Sequence, residues 1–223
     1  MTREQLEHAI RAACYVAEDD AVVVIGSQSV LGQFPDAPSE VTMSLEADIY
    51  PRNHPERALQ IDGALGELSL FHTTHGFYVH GVGPETAVLP ADWQARLVPV
   101  RTSNPRDGTG WCLEAHDLAA SKLAVPHRDH DSDFVAALLW HGMVDAAVVR
   151  DRLAALPLPA VERERLTSRF DGIAQAVDVV RKAGRTSPPS LQGGTWPMPP
   201  QPESGATPDA RVHPPTPPRR SGR

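Results

Sequence analysis

Residues 41–50 alternate strictly between apolar and polar positions. A period of two places alternate side chains on opposite faces of a strand. The apolar members are Val41, Met43, Leu45, Ala47 and Ile49. The pattern therefore predicts a strand with one face toward the core, which Pro51 ends.

Other segments show strand or helix patterns of their own. A β-branched run at residues 21–25 predicts a short strand buried on both faces, which leads into Gly26 and Ser27. Capping-box spacing at its start predicts a helix over residues 2–17. Apolar residues spaced by four and three predict a long helix over residues 160–183 that packs on a partner helix. Weaker patterns predict helices at residues 56–68, 116–125, 132–144 and 145–156, strands at 77–82 and 96–101, and a glycine turn at 108–110.

The order of these elements indicates the fold class. Strands are concentrated in the first half of the chain and helices in the second, which favours an α/β or α+β core followed by a helical part. We expect a core over residues 1–144, C-terminal helices over 145–183 and a tail over 184–223. The tail holds 11 of the 22 prolines and almost no apolar run. It cannot bury enough surface to offset its ordering entropy, so we expect it to be disordered.

Charge separates the tail from the rest of the chain. Five arginines against two acids give residues 184–223 a charge of +3, so the formal charge of -7 leaves -10 for residues 1–183. An acidic body does not favour broad nucleic-acid binding, and no DNA partner is expected.

Apolar runs and cysteines narrow the expected compartment. No run is long enough to span a membrane, and no apolar leader is visible, so neither a membrane nor secretion is expected. The two cysteines, Cys14 and Cys112, cannot form a disulfide framework. These features fit a cytoplasmic protein.

Glu46 and Asp48 are the first candidates for chemistry. Residues i and i+2 of a strand share a face, and the opposite face of this strand is apolar, so both carboxylates are expected to point away from the core. Two like charges so close repel, and a divalent cation such as Mg²⁺ would remove the repulsion while also binding substrate phosphates. The alternative is the solvated polar face of an edge strand.

Gly26 and Ser27 add a second feature beside the acid pair. A buried strand that ends in Gly-Ser before a helix offers free backbone N–H groups and a hydroxyl, which together suit a phosphate group. The alternative is an ordinary strand-to-helix turn, which Gly and Ser also favour. Gly-Ser on one strand and Glu-x-Asp on the next is a stronger indication than either alone.

This combination resembles the minimal nucleotidyltransferases, whose fold is that of DNA polymerase β. Further similarity to their AbiEii and MenT toxin branch lies in the segments VIGSQSVLGQFPDAP, SLEADIYP and HDLAASKLAVPHRDHDSDFVAALL. It covers roughly residues 20–140. The resemblance implies a core with a small mixed sheet and Mg²⁺-dependent (or Mn²⁺-dependent) transfer of NMP from an NTP.

The resemblance also implies roles for individual residues. Gly26 and Ser27 would hold the nucleotide phosphates, and Glu46 and Asp48 would be catalytic ligands of the metal. Lys122 would be a catalytic residue that also contacts the nucleotide. Asp131 would match the acid of a catalytic Lys-Asp pair.

The chain departs from the family pattern in three places. The spacer between Ser27 and Glu46 is 18 residues, longer than usual, and His130 stands where the Lys of the Lys-Asp pair is expected. The predicted strand at residues 77–82 has His80 at its middle and no third metal carboxylate. Either one metal binds firmly, or Asp131 supplies the missing charge, or catalysis is weak.

The acceptor is the least constrained part of the predicted function. Relatives in the toxin branch add nucleotides to tRNA ends, so the resemblance implies tRNA modification by the toxin of a toxin–antitoxin pair, with a cognate antitoxin as partner. The acidic body disfavours RNA except at local basic patches. The arginines and lysine of these candidate patches are Arg96, Arg101, Arg106, Arg150, Arg152, Arg181, Lys182 and Arg185.

Other classes of function remain open at this point. The acceptor hydroxyl could belong to a protein or a small molecule. The chain could also be an inactive nucleotide- or partner-binding protein of the same fold, or a scaffold whose proline-rich tail recruits a partner. A third carboxylate close to Glu46 and Asp48 would favour the enzyme.

Overall fold

A computed structural model describes residues 1–101, 108–125 and 129–191. The described helices are α1 Arg3–Ala17, α2 Val30–Gln33, α3 Ser39–Thr42, α4 Ala58–Leu65, α5 Leu70–His75, α6 Ala115–Ala124, α7 Asp129–Trp140, α8 Ala146–Ala154 and α9 Ala160–Lys182. The described strands are β1 Ala21–Val24, β2 Glu46–Pro51, β3 Tyr78–Gly81, β4 Val98–Arg101 and β5 Thr109–Cys112. None of the described helices combines the length and apolarity needed to cross a bilayer.

The five described strands form one mixed sheet in the order β3-β2-β1-β5-β4. Strand β1 lies at its centre, antiparallel to β2 and parallel to β5. The edge strands β3 and β4 pair parallel to β2 and antiparallel to β5, respectively. The prediction of an α/β core with a small mixed sheet and a helical C-terminal part is confirmed.

The predicted strand at residues 41–50 is wrong over its first half. Residues Ser39–Thr42 form helix α3 after Pro38, and the strand begins only at Glu46. Val41 is buried, but Met43 and Leu45 are 78% and 50% exposed, so their alternation reflects no buried strand face. Only Ala47 and Ile49 carry the buried face that the pattern predicts.

The predicted glycine turn at residues 108–110 is also wrong. Thr109–Cys112 is strand β5, which pairs with the central strand β1. Gly110 is needed there because a Cβ atom would stand 2.8 Å from Ile10 Cγ1 on helix α1. The glycine therefore allows a helix to approach the sheet closely.

The two terminal helical regions match their predictions. Thr2 and Gln5 form the capping box of α1, in which Gln5 N–H donates to Thr2 Oγ1 and Thr2 N–H donates to Gln5 Oε1. Helix α9 buries the predicted apolar stripe through four of its members, at Leu166, Phe170, Ile173 and Val177. These residues join the same hydrophobic core as the sheet. The domain boundary at residue 144 stays a prediction.

Residues 184–191 form neither helix nor strand after α9. Leu191 N–H donates to Asp133 Oδ1 on α7 at 2.6 Å, so the chain returns toward that helix. The remainder of the predicted disordered tail, residues 192–223, lies outside the described residues.

An ion-pair cluster ties α6 to the segments on either side of it. Asp117, in the first turn of α6, is fully buried. Arg96 donates to both of its carboxylate oxygens, at 2.7 and 3.1 Å. Arg152 Nε on α8 lies 3.0 Å from Oδ1, close enough for charge attraction though not aligned for a hydrogen bond. Helix α6 is therefore held in place from the helical C-terminal part.

Candidate functional site

The end of β1 lies against the acid pair of β2. Ile25 N–H donates to Asp48 O at 3.0 Å, and the chain then passes through Gly26 into a short 3-10 helix at Ser27–Ser29. Gly26 has an ordinary extended backbone, so its conformation does not require glycine. The neighbouring side chain does, because a methyl group at residue 26 would overlap Asp48 Oδ2 and stand 2.8 Å from Asp48 Cγ.

This close approach predicts the effect of a single methyl group. In Gly26→Ala the Asp48 carboxylate must shift, and a displacement of about 1 Å at a reacting centre costs about 10²-fold in rate. In the nucleotidyl transfer that the resemblance implies, we expect a loss of that size, measured as labelled product formed per minute, with a nearly unchanged melting temperature.

Gly63→Ala is the matched control for that substitution. No atom lies within 4 Å of a Cβ at residue 63, in helix α4, so the substitution should leave activity unchanged. It should also raise stability by about 0.5–1 kcal/mol, because alanine favours a helix more than glycine does. Equal activity of Gly26→Ala and the wild type would contradict a role for the Asp48 carboxylate in the reaction.

Glu46 and Asp48 lie on the polar face of β2, as the sequence predicts. Their side chains are 35% and 27% exposed, whereas Ala47 and Ile49 on the opposite face are fully buried. Across the sheet, Tyr78 is in register with Glu46, and His80 with Asp48. His80 Nδ1 lies 2.9 Å from Glu46 Oε1 and 3.3 Å from Asp48 Oδ1.

Electrostatics at Glu46 reflects this crowding of acids. Burial raises the pKa of Glu46, and the charge of Asp48 raises it further, whereas His80 and Tyr78 oppose the rise. Tyr78 Oη donates to Glu46 Oε2 at 3.4 Å. A positive ion between the carboxylates would relieve their repulsion.

Lys122 and Asp131 form an ion pair opposite the acids. Lys122 Nζ on α6 lies 3.0 Å from Asp131 Oδ1 on α7, with side chains 20% and 7% exposed. The second oxygen, Asp131 Oδ2, is buried and has no hydrogen-bond partner in the described part of the chain. Lys122 Nζ also stands 5.8 Å from the centre of the Phe134 ring. The pair therefore presents a fixed cation and a free acceptor oxygen.

A cleft of about 390 Å³ joins these groups. Its polar lining residues include Ser27, Glu46, Asp48, His80, Lys122 and Asp131, with Gly26 at its wall. A second cavity of about 490 Å³ shares Ser27, Lys122 and Asp131 with the first and extends past Met43 and Phe134 to Pro188 and Pro189. All the residues predicted from the sequence to take part in catalysis or nucleotide binding thus line one cleft.

The cleft also contains a residue that has no role in the sequence-based prediction. His80 fills the place where a third carboxylate was sought, and no further acid lies with Glu46 and Asp48 in a cluster of the described residues. The alignment of Asp48 with His80 depends on a register across two parallel strands that are far apart in the chain. The one signal in the sequence was a polar residue in the middle of a short strand.

Most of the basic residues considered for an RNA patch have internal partners. Arg96 and Arg152 pair with Asp117, and Arg150 pairs with Asp171 at 2.7 Å. Arg181 donates to the carbonyl oxygens of Leu139 and Trp140 at the end of α7. Arg106 lies outside the described residues. The predicted patch at residues 150–152 is therefore neutralised within the fold, as is Arg96 of the patch at residues 96–106.

Comparison with known proteins gives the family. A family model described as a nucleotidyltransferase of unknown function, DUF6036, matches residues 4–171. A comparison with curated proteins and one with solved structures each gave no match. The matched segment spans more than half of the chain and contains every cleft residue named above. The chain therefore belongs to the DUF6036 family of nucleotidyltransferases of unknown function.

Proposed function

We propose that this protein transfers NMP from an NTP to an acceptor hydroxyl in the cleft between β2 and α6. The single observation that supports this most strongly is the shared cleft. It combines two neighbouring carboxylates, a serine at the end of a buried strand and a lysine fixed by an acid. Phosphoryl transfer uses such a set, because the phosphates must be bound and their negative charge must be offset by cations.

Ser27 and Lys122 have different roles toward the phosphates of the substrate. Ser27 and the turn after Gly26 offer a hydroxyl and backbone N–H groups to the triphosphate. Lys122, held by Asp131, offsets the charge that builds on the phosphates as the reaction proceeds. The acceptor oxygen bonds to the α-phosphorus while the bond to the β-phosphate breaks, pyrophosphate leaves with the electron pair, and the hydroxyl proton passes to solvent.

The acid pair fits a divalent cation, Mg²⁺ or Mn²⁺. One ligand atom from each of Glu46, Asp48 and His80 lies within 4.8 Å of the others. The raised pKa of Glu46 and the close packing of Asp48 on Gly26 fit a site whose charge is completed by a cation. Such an ion would stabilise charge on the α-phosphate and orient the attacking hydroxyl.

For the acceptor we propose a tRNA end, on the basis of the resemblance to the AbiEii and MenT branch. The protein would then act in the cytoplasm as the toxin of a toxin–antitoxin pair. Its two cysteines, both buried free thiols, suit a reducing compartment.

The pairing of basic residues with acids favours a second class of acceptor, a hydroxyl of a protein or a small molecule. Since Arg96, Arg150 and Arg152 are paired with acids, little free positive charge is left there for an RNA backbone. A protein or small-molecule hydroxyl needs no such surface. Of the candidate patch residues that the structure describes, Arg101, Lys182 and Arg185 are exposed and available for contact with tRNA.

Incubation with each α-labelled NTP, a divalent cation and a cell extract that supplies RNA, proteins and small molecules tests the proposal and separates the acceptors. Label in tRNA supports the first acceptor, and label in protein supports the second. Pyrophosphate release with label in neither points to a small molecule. Asp48→Asn serves as the inactive control. If no NTP gives labelled product or pyrophosphate with any of these acceptors, the chain is a binding protein of this fold and the proposal is wrong.

A further inference from the structure

His80 is placed as a ligand would be, between the two carboxylates of the acid pair. It lies directly across from Asp48 on the neighbouring parallel strand, so the two side chains share a face of the sheet. Its Nδ1 atom faces both Glu46 Oε1 and Asp48 Oδ1, at 2.9 and 3.3 Å. Half of the ring is exposed, so it is not held there by packing in the core.

We infer that His80 Nδ1 is the third protein ligand of the divalent cation, and that the site consequently favours Mn²⁺ over Mg²⁺. This inference rests on the proposed function, because it concerns the cation of the same cleft. It goes further by assigning a ligand that is not a carboxylate and by naming the preferred ion.

Ligand chemistry sets the direction of the preference. Mg²⁺ is a hard ion that demands oxygen ligands and near-ideal octahedral geometry, whereas imidazole nitrogen suits first-row transition metals. Mn²⁺ accepts carboxylate and phosphate oxygens as readily as Mg²⁺ and also tolerates a nitrogen ligand. A set of two carboxylates and one imidazole therefore favours Mn²⁺ over Mg²⁺.

Asp131 does not belong to the cluster of possible metal ligands that Glu46, Asp48 and His80 form among the described residues. Its Oδ1 atom is 3.0 Å from Lys122 Nζ, and the side chain is 7% exposed. Asp131 lines the same cleft, and its Oδ2 atom is buried without a hydrogen-bond partner among the described residues. A buried acceptor left free in this way is suited to a hydrogen bond from a water or hydroxyl bound in the cleft.

The experiment measures metal binding to the full chain without nucleotide. Titration with Mn²⁺, followed by electron paramagnetic resonance, gives the Mn²⁺ affinity, and competition with Mg²⁺ gives the preference. We expect Mn²⁺ to bind about tenfold more tightly than Mg²⁺ or better, and His80→Ala to lower Mn²⁺ affinity at least about tenfold. His80→Asp should restore an all-oxygen set and reduce the preference for Mn²⁺.

A spectroscopic readout identifies the ligand directly. Pulsed electron paramagnetic resonance of Mn²⁺ bound to the wild type should show coupling to a ¹⁴N nucleus, and this coupling should vanish in His80→Ala. His54→Ala is the matched control, because His54 Nδ1 also lies 3.3 Å from a carboxylate, that of Glu56, but His54 belongs to no cluster of possible metal ligands among the described residues. It should change neither affinity nor coupling.

Two results would overturn the inference. One is Mn²⁺ bound without ¹⁴N coupling in the wild type, a measurement that does not depend on any variant folding. The other is the same ratio of Mn²⁺ to Mg²⁺ affinity in the wild type and His80→Ala. Binding through His80 with no nucleotidyl transfer would instead leave the inference standing and remove the proposed function.

Discussion

Asp48→Asn is expected to lower the rate of nucleotidyl transfer by about 10³-fold, because a bound metal ion contributes several kcal/mol to the transition state and each 1.36 kcal/mol is tenfold. Asparagine keeps the shape of the side chain and its contact with Gly26 but removes one of the two charges that hold the cation. It also removes the repulsion from Glu46, so the melting temperature should change little. Initial rates with saturating NTP and a circular-dichroism melt measure the two quantities.

Asp178→Asn is the control for that experiment. Asp178 is exposed on α9, away from the cleft, and its replacement removes the same charge from the chain. Its rate should equal that of the wild type. If Asp48→Asn kept more than about a tenth of the wild-type rate, Asp48 would not be a metal ligand in the reaction.

Asp117→Asn is expected to destabilise the fold by about 3 kcal/mol, at the lower end of the cost of breaking a buried ion pair. The estimate stays low because Arg96 and Arg152, the charges left behind, are 24% and 26% exposed and partly screened by solvent. For a protein of this size the loss corresponds to a fall of about 6–12 °C in the melting temperature. Thermal and urea unfolding measure it.

The chain offers a matched control for the Asp117 substitution in a surface ion pair of the same length. Arg150 Nε lies 2.7 Å from Asp171 Oδ1, just as Arg96 Nε lies 2.7 Å from Asp117 Oδ2, but the Arg150 pair is about half exposed. Asp171→Asn should cost less than about 1 kcal/mol. Equal losses of stability in the two variants would show that burial does not determine the contribution of the Asp117 cluster to stability.

Local patterns in the sequence were sufficient to predict several parts of the site. The buried strand that ends at Gly26 and Ser27 needed only a run of β-branched residues. The shared direction of Glu46 and Asp48 followed from the period of a strand. Both predictions depend on residues adjacent in the chain, where backbone geometry alone decides the outcome.

Features that depend on tertiary contacts were not predictable in this way. Residues 41–45 alternate like a strand, but a helix begins after Pro38, and nothing local reveals that Met43 and Leu45 stay in solvent. Gly110 was predicted to lie in a turn. A glycine is needed there because Ile10 of helix α1, which is distant in the sequence, packs closely against it.

Pairings between distant residues account for the remaining differences. The position of His80 beside the acid pair follows from the register between β2 and β3. Three of the arginines that suggested an RNA surface, Arg96, Arg150 and Arg152, are instead paired with Asp117 and Asp171. In each case the chemistry of the residue was visible in the sequence but its partner was not.

The C-terminal part of α9 packs into the folded core but lies outside the segment that the family model matches. The family match stops at residue 171, yet Ile173 and Val177 beyond it are buried, and Arg181 caps the last carbonyls of α7, the helix that carries Asp131. A protein truncated to the matched segment would keep every catalytic candidate. It would lose Arg181, whose hydrogen bonds hold the end of the helix that carries Asp131. The segment that identifies the family is therefore shorter than the segment that packs into the folded core.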